Sequence, residues 1–365
     1  MDIIPALYYY DVYLFIITIL SFSCFSFYGR RKGYLQLNAQ IDNKRAFIAF
    51  VFFAIFVGLR PISAVFADMT QYKGVYERWD GSFTFDWDTE NLLYDNQMAW
   101  FASIRLEPVL YYVYIALIYF GGTYIACRKM FPSNTYAAYL VFIAAFSTFS
   151  FGTNGIKAGS AASMFLIALA YRENLKVCVL FLLLSIGLHH SMQLPIITFV
   201  IACIYNKKPN YYIYLWLLCV ALSAAHVSFF QELFSGLTDE QGKGYLVADR
   251  TDDVIYDKGG FRLDFIIYSA MPILMGWYAI NKKKIVDKAY NVMLCTYTFT
   301  NSVWMLCMYA EFTNRIAYLS WLMYPIVLIY PLFLQQWGNN RYRIFSKVAW
   351  AHLAFTLFMH IVYYK

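Results

Sequence analysis

Residues 108–127 read PVLYYVYIALIYFGGTYIAC, with no charge along their length, and Arg128 and Lys129 follow at once. The hydrocarbon core of a bilayer takes about 20 mostly apolar residues per helix, and a basic pair just beyond such a run marks the cytoplasmic side. Outward from this stretch the chain supplies about twelve such runs, near 8–28, 46–59, 108–127, 136–152, 157–171, 177–188, 194–205, 211–227, 264–280, 290–310, 316–334 and 348–363. Those at 46–59, 177–188 and 194–205 are short, so their ends must be buried in protein or meet a thinned interface. Of the 365 residues, 61% are hydrophobic, 21% aromatic and 14% charged. Soluble domains carry about 25% charged residues, and a mean hydropathy of +0.49 leaves no polar surface for a water-soluble globule. The expectation is an all-α polytopic integral membrane protein of about twelve transmembrane helices, a single transmembrane domain over 1–365. Disorder, a disulfide scaffold and nucleic-acid binding are excluded. No cleavable leader is expected, because the first run lacks a basic flank and a small-residue cleavage site.

Lysine and arginine orient the spans. Every second loop holds basic residues: Arg30, Arg31, Lys32, Lys44 and Arg45; Arg128 and Lys129; Arg172 and Lys176; Lys207 and Lys208; Lys282, Lys283, Lys284 and Lys288; Arg341, Arg343 and Lys347. These are 18 of the 29 basic residues, with only Asp42, Glu173 and Asp287 of the 22 acids beside them. Such loops are read as cytoplasmic, which puts both termini outside. All seven cysteines fall within or at the ends of apolar runs, so no disulfide is expected, and no metal-ligand spacing is present. Phosphate-loop, GxSxG and HExxH patterns are absent as well.

Two outer segments are long, 60–107 and 228–263. Five clusters stand on the outer side: Gly58-Leu59-Arg60-Pro61 with Asp68 and Tyr72; Glu90 to Tyr94, with Glu107-Pro108 opening the next span; Asn154-Gly155-Ile156-Lys157-Ala158-Gly159; Leu188-His189-His190-Ser191; and Gly260-Phe261-Arg262-Leu263-Asp264 with Glu311-Phe312-Thr313-Asn314-Arg315. Taken singly, each has an ordinary explanation. Arg60 reads as a snorkelling anchor, Asp68 as a solvated loop acid, Glu107 as a helix-start acid, and Glu311 with Arg315 as an i,i+4 ion pair. Their shared sidedness is what argues for chemistry. Four cations at one level, Arg60, Lys157, Arg262 and Arg315, could hold two phosphates and stabilise a departing pyrophosphate. Asp68, Glu90, His189 and Asp264 are candidates to take a proton from an attacking hydroxyl. Aromatic residues of the 72–100 segment, Tyr72, Tyr76, Trp79, Trp87, Tyr94 and Trp100, could stack on sugar rings. A transporter would instead place cations along its spans and keep its outer loops short.

In GLRP with Asp68 and Tyr72, NGIKAG at 154–159, LHHS at 188–191, GFRLDF at 260–265 and TNRIAYLSW at 313–321, the chain resembles the EpsG/Wzy-like polysaccharide polymerases of bacterial capsule, exopolysaccharide and O-antigen pathways. The resemblance runs from about Gly58 to Pro331. It implies a GT-C-like, metal-independent glycosyltransferase without cofactor. Such an enzyme joins oligosaccharide repeat units carried on undecaprenyl pyrophosphate, at the outer face of the bacterial cytoplasmic membrane. Its partners would be the lipid-linked donor and acceptor, membrane lipids and a chain-length regulator, with no nucleic acid. Carried over by position, Arg60, Lys157, Arg262 and Arg315 would bind pyrophosphate, and His189, Asp68 and Glu90 would be catalytic, with Glu107 an alternative to Glu90 and His190 an alternative register to His189. Tyr72, Asn154, His190, Asp264 and Glu311 would support them or contact sugar. A flippase for the same lipid-linked saccharide and a ligase of finished polymer are the competing readings.

One position departs from the resemblance. Relatives usually carry NGIR where this chain has NGIK, and lysine keeps the charge but loses the bidentate fork. Lys157→Arg is therefore expected to keep or raise polymer yield, measured as surface polysaccharide in a complemented deletion strain. Complete loss of polymer would mean that the site is shaped around lysine.

Overall fold

The computed structural model describes residues 4–31, 38–227, 229, 260–310 and 313–364. Among them the chain is helical and has no strand. In order the helices are α1 (Tyr9–Gly29), α2 (Ala39–Gly58), α3 (Met69–Glu77), α4 (Leu92–Ser103), α5 (Pro108–Met130), α6 (Thr135–Ile143), α7 (Thr148–Thr153), α8 (Ile156–Ala170), α9 (Leu175–Leu188), α10 (Gln193–Ile204), α11 (Pro209–Ala224), α12 (Leu263–Trp277), α13 (Lys288–Leu306), α14 (Thr313–Trp321), α15 (Tyr324–Phe333) and α16 (Arg341–Tyr364). Each of the twelve apolar runs falls on this series. The starts follow local chemistry: the Asn38 side chain accepts from the Gln40 and Ile41 amides, that of Asn174 from Val177 and that of Asp287 from Tyr290, while Pro108 and Pro209 open α5 and α11. Five stretches, Ala6–Gly29, Pro108–Met130, Leu263–Lys282, Thr313–Phe333 and Arg341–Val362, are long and apolar enough to cross a membrane. The molecule is a polytopic membrane protein. The long 60–107 segment carries the two short helices α3 and α4.

Two runs expected to be continuous are broken. The first, 136–152, interrupts between α6 and α7, and the second, 316–334, between α14 and α15. A break at membrane depth leaves carbonyls that lipid cannot satisfy. At the first break neighbouring helices supply the donors. Tyr13 Oη donates to the Ile143 carbonyl at 2.7 Å, and Thr356 Oγ1 donates to that of Ala144 at 2.7 Å. Thr148 Oγ1 closes on the Phe142 carbonyl at 2.6 Å.

The chain divides into two compact units, Met1–His189 with Gly338–Lys365, and His190–Trp337. In the first unit α16 returns along α1. Ser346 Oγ donates to the Phe25 carbonyl at 2.7 Å, and His360 Nε2 meets Asp11 Oδ1 at 2.6 Å. One end of this unit gathers the basic loops: Tyr28 Oη bonds Asn134, Thr135 Oγ1 bonds Asn43, and the Tyr136 amide donates to Asp42. The second unit is organised on α13, whose Thr296, Thr298, Thr300, Asn301 and Ser302 are all buried. Trp216 Nε1 donates to Asn301 Oδ1 at 2.7 Å, and Asn301 Nδ2 donates to Ser320 Oγ at 2.9 Å, so one asparagine ties α11, α13 and α14. Side-chain hydrogen bonds of this kind join helices where no hydrophobic effect operates between them. None of the seven cysteines is joined in a disulfide.

Helices of the first unit approach each other through glycine. A Cβ on Gly58 would lie 2.7 Å from the Val113 Cα in α5, and one on Gly122 would lie 2.7 Å from Ser163 Oγ in α8. Gly58→Ala and Gly122→Ala are therefore expected to destabilise the protein by about 1–3 kcal/mol through overpacking. Gly74→Ala, which meets nothing within 4 Å, should be neutral or mildly stabilising. Thermal denaturation of the detergent-solubilised variants checks this ranking.

Candidate functional site

At the end of the first unit opposite its basic loops, four of the sequence clusters are stitched together. Arg60 follows the last turn of α2, at 1% exposure. Its Nη1 donates to the Val57 carbonyl at 2.7 Å, and its Nη2 to the Thr153 carbonyl at 2.9 Å and to Met69 Sδ at 3.0 Å. The guanidinium also faces the Phe66 and Tyr112 rings, with centroids 6.0 and 5.7 Å away. Burial pushes its pKa down to about 10, still charged at neutral pH. Arg60 thus lies beneath the surface and braces the GLRP turn against the end of α7, and Arg60 Nε alone has no partner. Next in chain, Ala67 takes the left-handed φ of 46°, a conformation costly for a residue with a Cβ. The turn it makes delivers the Asp68 amide to Asn154 Oδ1 at 3.0 Å. Asn154, expected to support sugar, is here the clamp between the first and third clusters.

Lys157 stands in the first turn of α8 and meets Asp95 Oδ1 of α4 at 3.2 Å, both side chains about one quarter exposed. Its ammonium also lies over the Tyr94 and Tyr72 rings, 5.0 and 5.8 Å from their centroids. Tyr94 is packed edge-on against Tyr111 of α5. One turn before Asp95, Glu90 is exposed ahead of α4, and Glu107 is exposed at the start of α5. α4 also reaches the fourth cluster, where Leu93 lies against Gly187 so closely that a Cβ there would come within 2.6 Å. His189 follows two residues later as the C-cap of α9, half-buried, its amide donating to the Ser185 carbonyl at 3.1 Å.

His190 begins a short 3-10 turn in the second unit, with Nδ1 3.2 Å from Gln193 Nε2. The two parts of the fifth cluster also meet inside that unit. Phe265 packs edge-on against Trp321 at 5.1 Å, and Trp321 Nε1 donates to Ser269 Oγ at 2.8 Å. Arg262 caps α12 and grips Asp264 through both carboxylate oxygens, at 3.1 and 2.9 Å, with its guanidinium 3.9 Å from the Phe265 ring centroid. Asp264, a candidate base, is thereby committed to an ion pair. Arg315 is half-buried in the first turn of α14, where Thr313 Oγ1 accepts from Trp304 Nε1 at 2.8 Å. Glu311 and most of the 228–263 segment lie outside the described residues.

Sequence reading missed Asp95, the partner of Lys157. It also missed a cavity of about 210 Å³ beside that pair, between α3, α4 and the 80–91 loop, lined among others by Tyr76, Trp79, Thr84, Asp86, Thr89 and Asp95. The spacing of Tyr94, Met98 and Ala102 was the available signal, since it marks a helix with one buried face. Among the described residues, no three or more His, Cys, Asp or Glu side chains cluster closely enough to hold a metal ion.

The EpsG family profile matches residues 45–365. The match spans every cluster described above, and the chain belongs to the EpsG family. No curated protein and no solved structure matches it.

The positions of Arg60 and Lys157 separate a brace from an accessible cation. In Arg60→Lys, a point charge replaces a fork that reaches two carbonyls, and each buried carbonyl left without a donor costs about 1–3 kcal/mol. That variant should melt well below wild type. Lys157→Ala removes an ion pair whose side chains are about one quarter exposed and should stay within about 1 kcal/mol of it. Equal melting of the two variants would remove the bracing role.

Proposed function

We propose that this EpsG-family membrane protein is a polysaccharide polymerase, a glycosyltransferase that extends a chain from oligosaccharide repeat units carried on undecaprenyl pyrophosphate. The observation that carries the reading is the assembly of four ionisable clusters at one end of the first unit, at the ends of apolar helices α2, α8 and α9 and on the short helices α3 and α4. A carrier of a charged solute through the bilayer needs ionisable groups along its spans, whereas these clusters are gathered at a helix-end level, where a lipid headgroup lies. In this reading the helices cross the cytoplasmic membrane twelve times in a GT-C-like arrangement, and the site faces outward.

Lys157 is the phosphate-binding cation of the first unit, with Arg60 setting the turn beside it, and Arg262 and Arg315 are those of the second. The acceptor sugar hydroxyl attacks the donor's anomeric carbon. The new glycosidic C–O bond forms as the bond from that carbon to the phosphate oxygen breaks, and the electron pair leaves with the pyrophosphate. Fixed cations stabilise that developing charge. The hydroxyl proton passes to the imidazole of His189. Asp68 and Glu90 orient the acceptor, with Tyr72, Asn154, His190, Asp264 and Glu311 in support. No metal or cofactor takes part in any of these steps.

Lipid-linked glycans in a strain lacking this protein test the reading. A polymerase defect leaves single repeat units on lipid at the outer face. Units retained on the inner face would instead identify a flippase, and full-length polymer left on lipid would identify a ligase.

A further inference from the structure

The cavity between α3, α4 and the 80–91 loop is not used by the chemistry above, and its construction is specific. Asn96 Oδ1 accepts from the Asp86 amide at 2.8 Å, while its Nδ2 donates to the carbonyls of Asp86 and Leu92 at 2.7 and 2.8 Å. One buried amide therefore fastens the loop to α4 and fixes the wall on which Asp86 stands. Trp79 Nε1 donates to the Gly81 carbonyl at 3.0 Å, which sets the plane of an indole that remains 40% exposed. Tyr76 is held by its Oη donating to the Leu106 carbonyl at 2.8 Å. Thr89 Oγ1, buried in the same wall, has no hydrogen-bond partner. An unmet buried hydroxyl costs free energy unless a ligand or water meets it.

We infer that this cavity is a subsite for one neutral sugar ring of the lipid-linked saccharide. The inference rests on the polymerase reading and adds the place where the sugar sits. Its volume of about 210 Å³ is below the roughly 300–1,000 Å³ of sites that enclose a whole drug-sized ligand. It suits a single ring better than a whole repeat unit. Trp79 offers a flat apolar face to the C–H side of a pyranose, with the buried Tyr76 in the wall beside it. Asp86 and Asp95 accept from its hydroxyls, and each carboxylate has about four acceptor positions, so the bond from the Asp88 amide to Asp86 and those from Lys157 and the Asn91 amide to Asp95 leave capacity. Two carboxylates in the wall, with Asp88 and Glu90 beside them, disfavour an anionic sugar. Asp95 lies both in the cavity wall and against Lys157. A ring in the cavity is then next to the cation proposed for the phosphate, which is the order of groups in a sugar pyrophosphate.

The test uses the full-length protein in lipid nanodiscs and saturation-transfer NMR. The probes are the methyl β-glycosides of glucose, galactose, N-acetylglucosamine and glucuronic acid. Wild type should transfer saturation to at least one neutral glycoside and less to the glucuronide. Trp79→Ala and Asp86→Asn should each weaken that transfer by about three- to tenfold, roughly the worth of one aromatic face or hydrogen bond, and Trp79→Phe should retain it. No transfer to any neutral glycoside, stronger transfer to the glucuronide, or equal transfer in Trp79→Ala overturns the subsite. Polymer formation by the same variants in a deletion strain separates the two claims. If wild type restores polymer but binds no glycoside, the subsite fails and the polymerase stands. If wild type binds a glycoside and deletion leaves polymer intact, the polymerase fails.

Discussion

Lys157 occupies the second position of α8, where the aligned peptide dipoles and unpaired amides of a helix start favour an anion and oppose a cation. A lysine in that place needs a carboxylate, and Asp95 provides it at 3.2 Å. The pairing has structural reach, because Asp95 belongs to α4, a helix of the 60–107 segment. Through it the segment is drawn onto the helices below, Tyr94 and Tyr72 are brought over the ammonium, and Leu93 is seated on Gly187. The result is a helix N-terminus, a cation and two tyrosine rings in one place. An anionic phosphate approaching it meets the amides and the ammonium, and in doing so competes for Lys157 with Asp95.

Arg60 supplies a second level of order. Its guanidinium spans from the end of α2 to the end of α7, joining two segments about ninety residues apart in the chain. Lysine could not bridge both carbonyls, because the guanidinium donates in a fixed planar fork. The Asn154 clamp on Asp68 repeats the same join one residue beyond Thr153. Together they fix the turn that carries Asp68. The corresponding device in the second unit is the polar seam of α13, which holds α14 and therefore Arg315 through Asn301 and Ser320.

Fold and site were legible to different depths. The helices could be read because lipid demands apolar runs of a fixed length, and each run became helix. The interruption at 144–147 could not be read, because the groups that satisfy its carbonyls, Tyr13 and Thr356, lie some 130 and 212 residues away in sequence. The motifs containing Asp68, Lys157 and His189 were visible as charges interrupting an apolar text, and the first unit gathers them. Arg60 was visible too, but its burial was not, since an arginine between Leu59 and Pro61 looks the same whether it snorkels or braces. Asp95 went unnoticed because nothing in YDNQ sets it apart from the other acids of the 60–107 segment. Only the contact with Lys157 distinguishes it.

The most direct measurement is polymerisation by the purified protein, reconstituted in nanodiscs and given lipid-linked repeat units of the host. The account predicts a ladder of saccharides differing by whole repeat units, formed without nucleotide or added metal and accompanied by release of undecaprenyl pyrophosphate. Repeat units that remain single while the protein is intact and folded would contradict it.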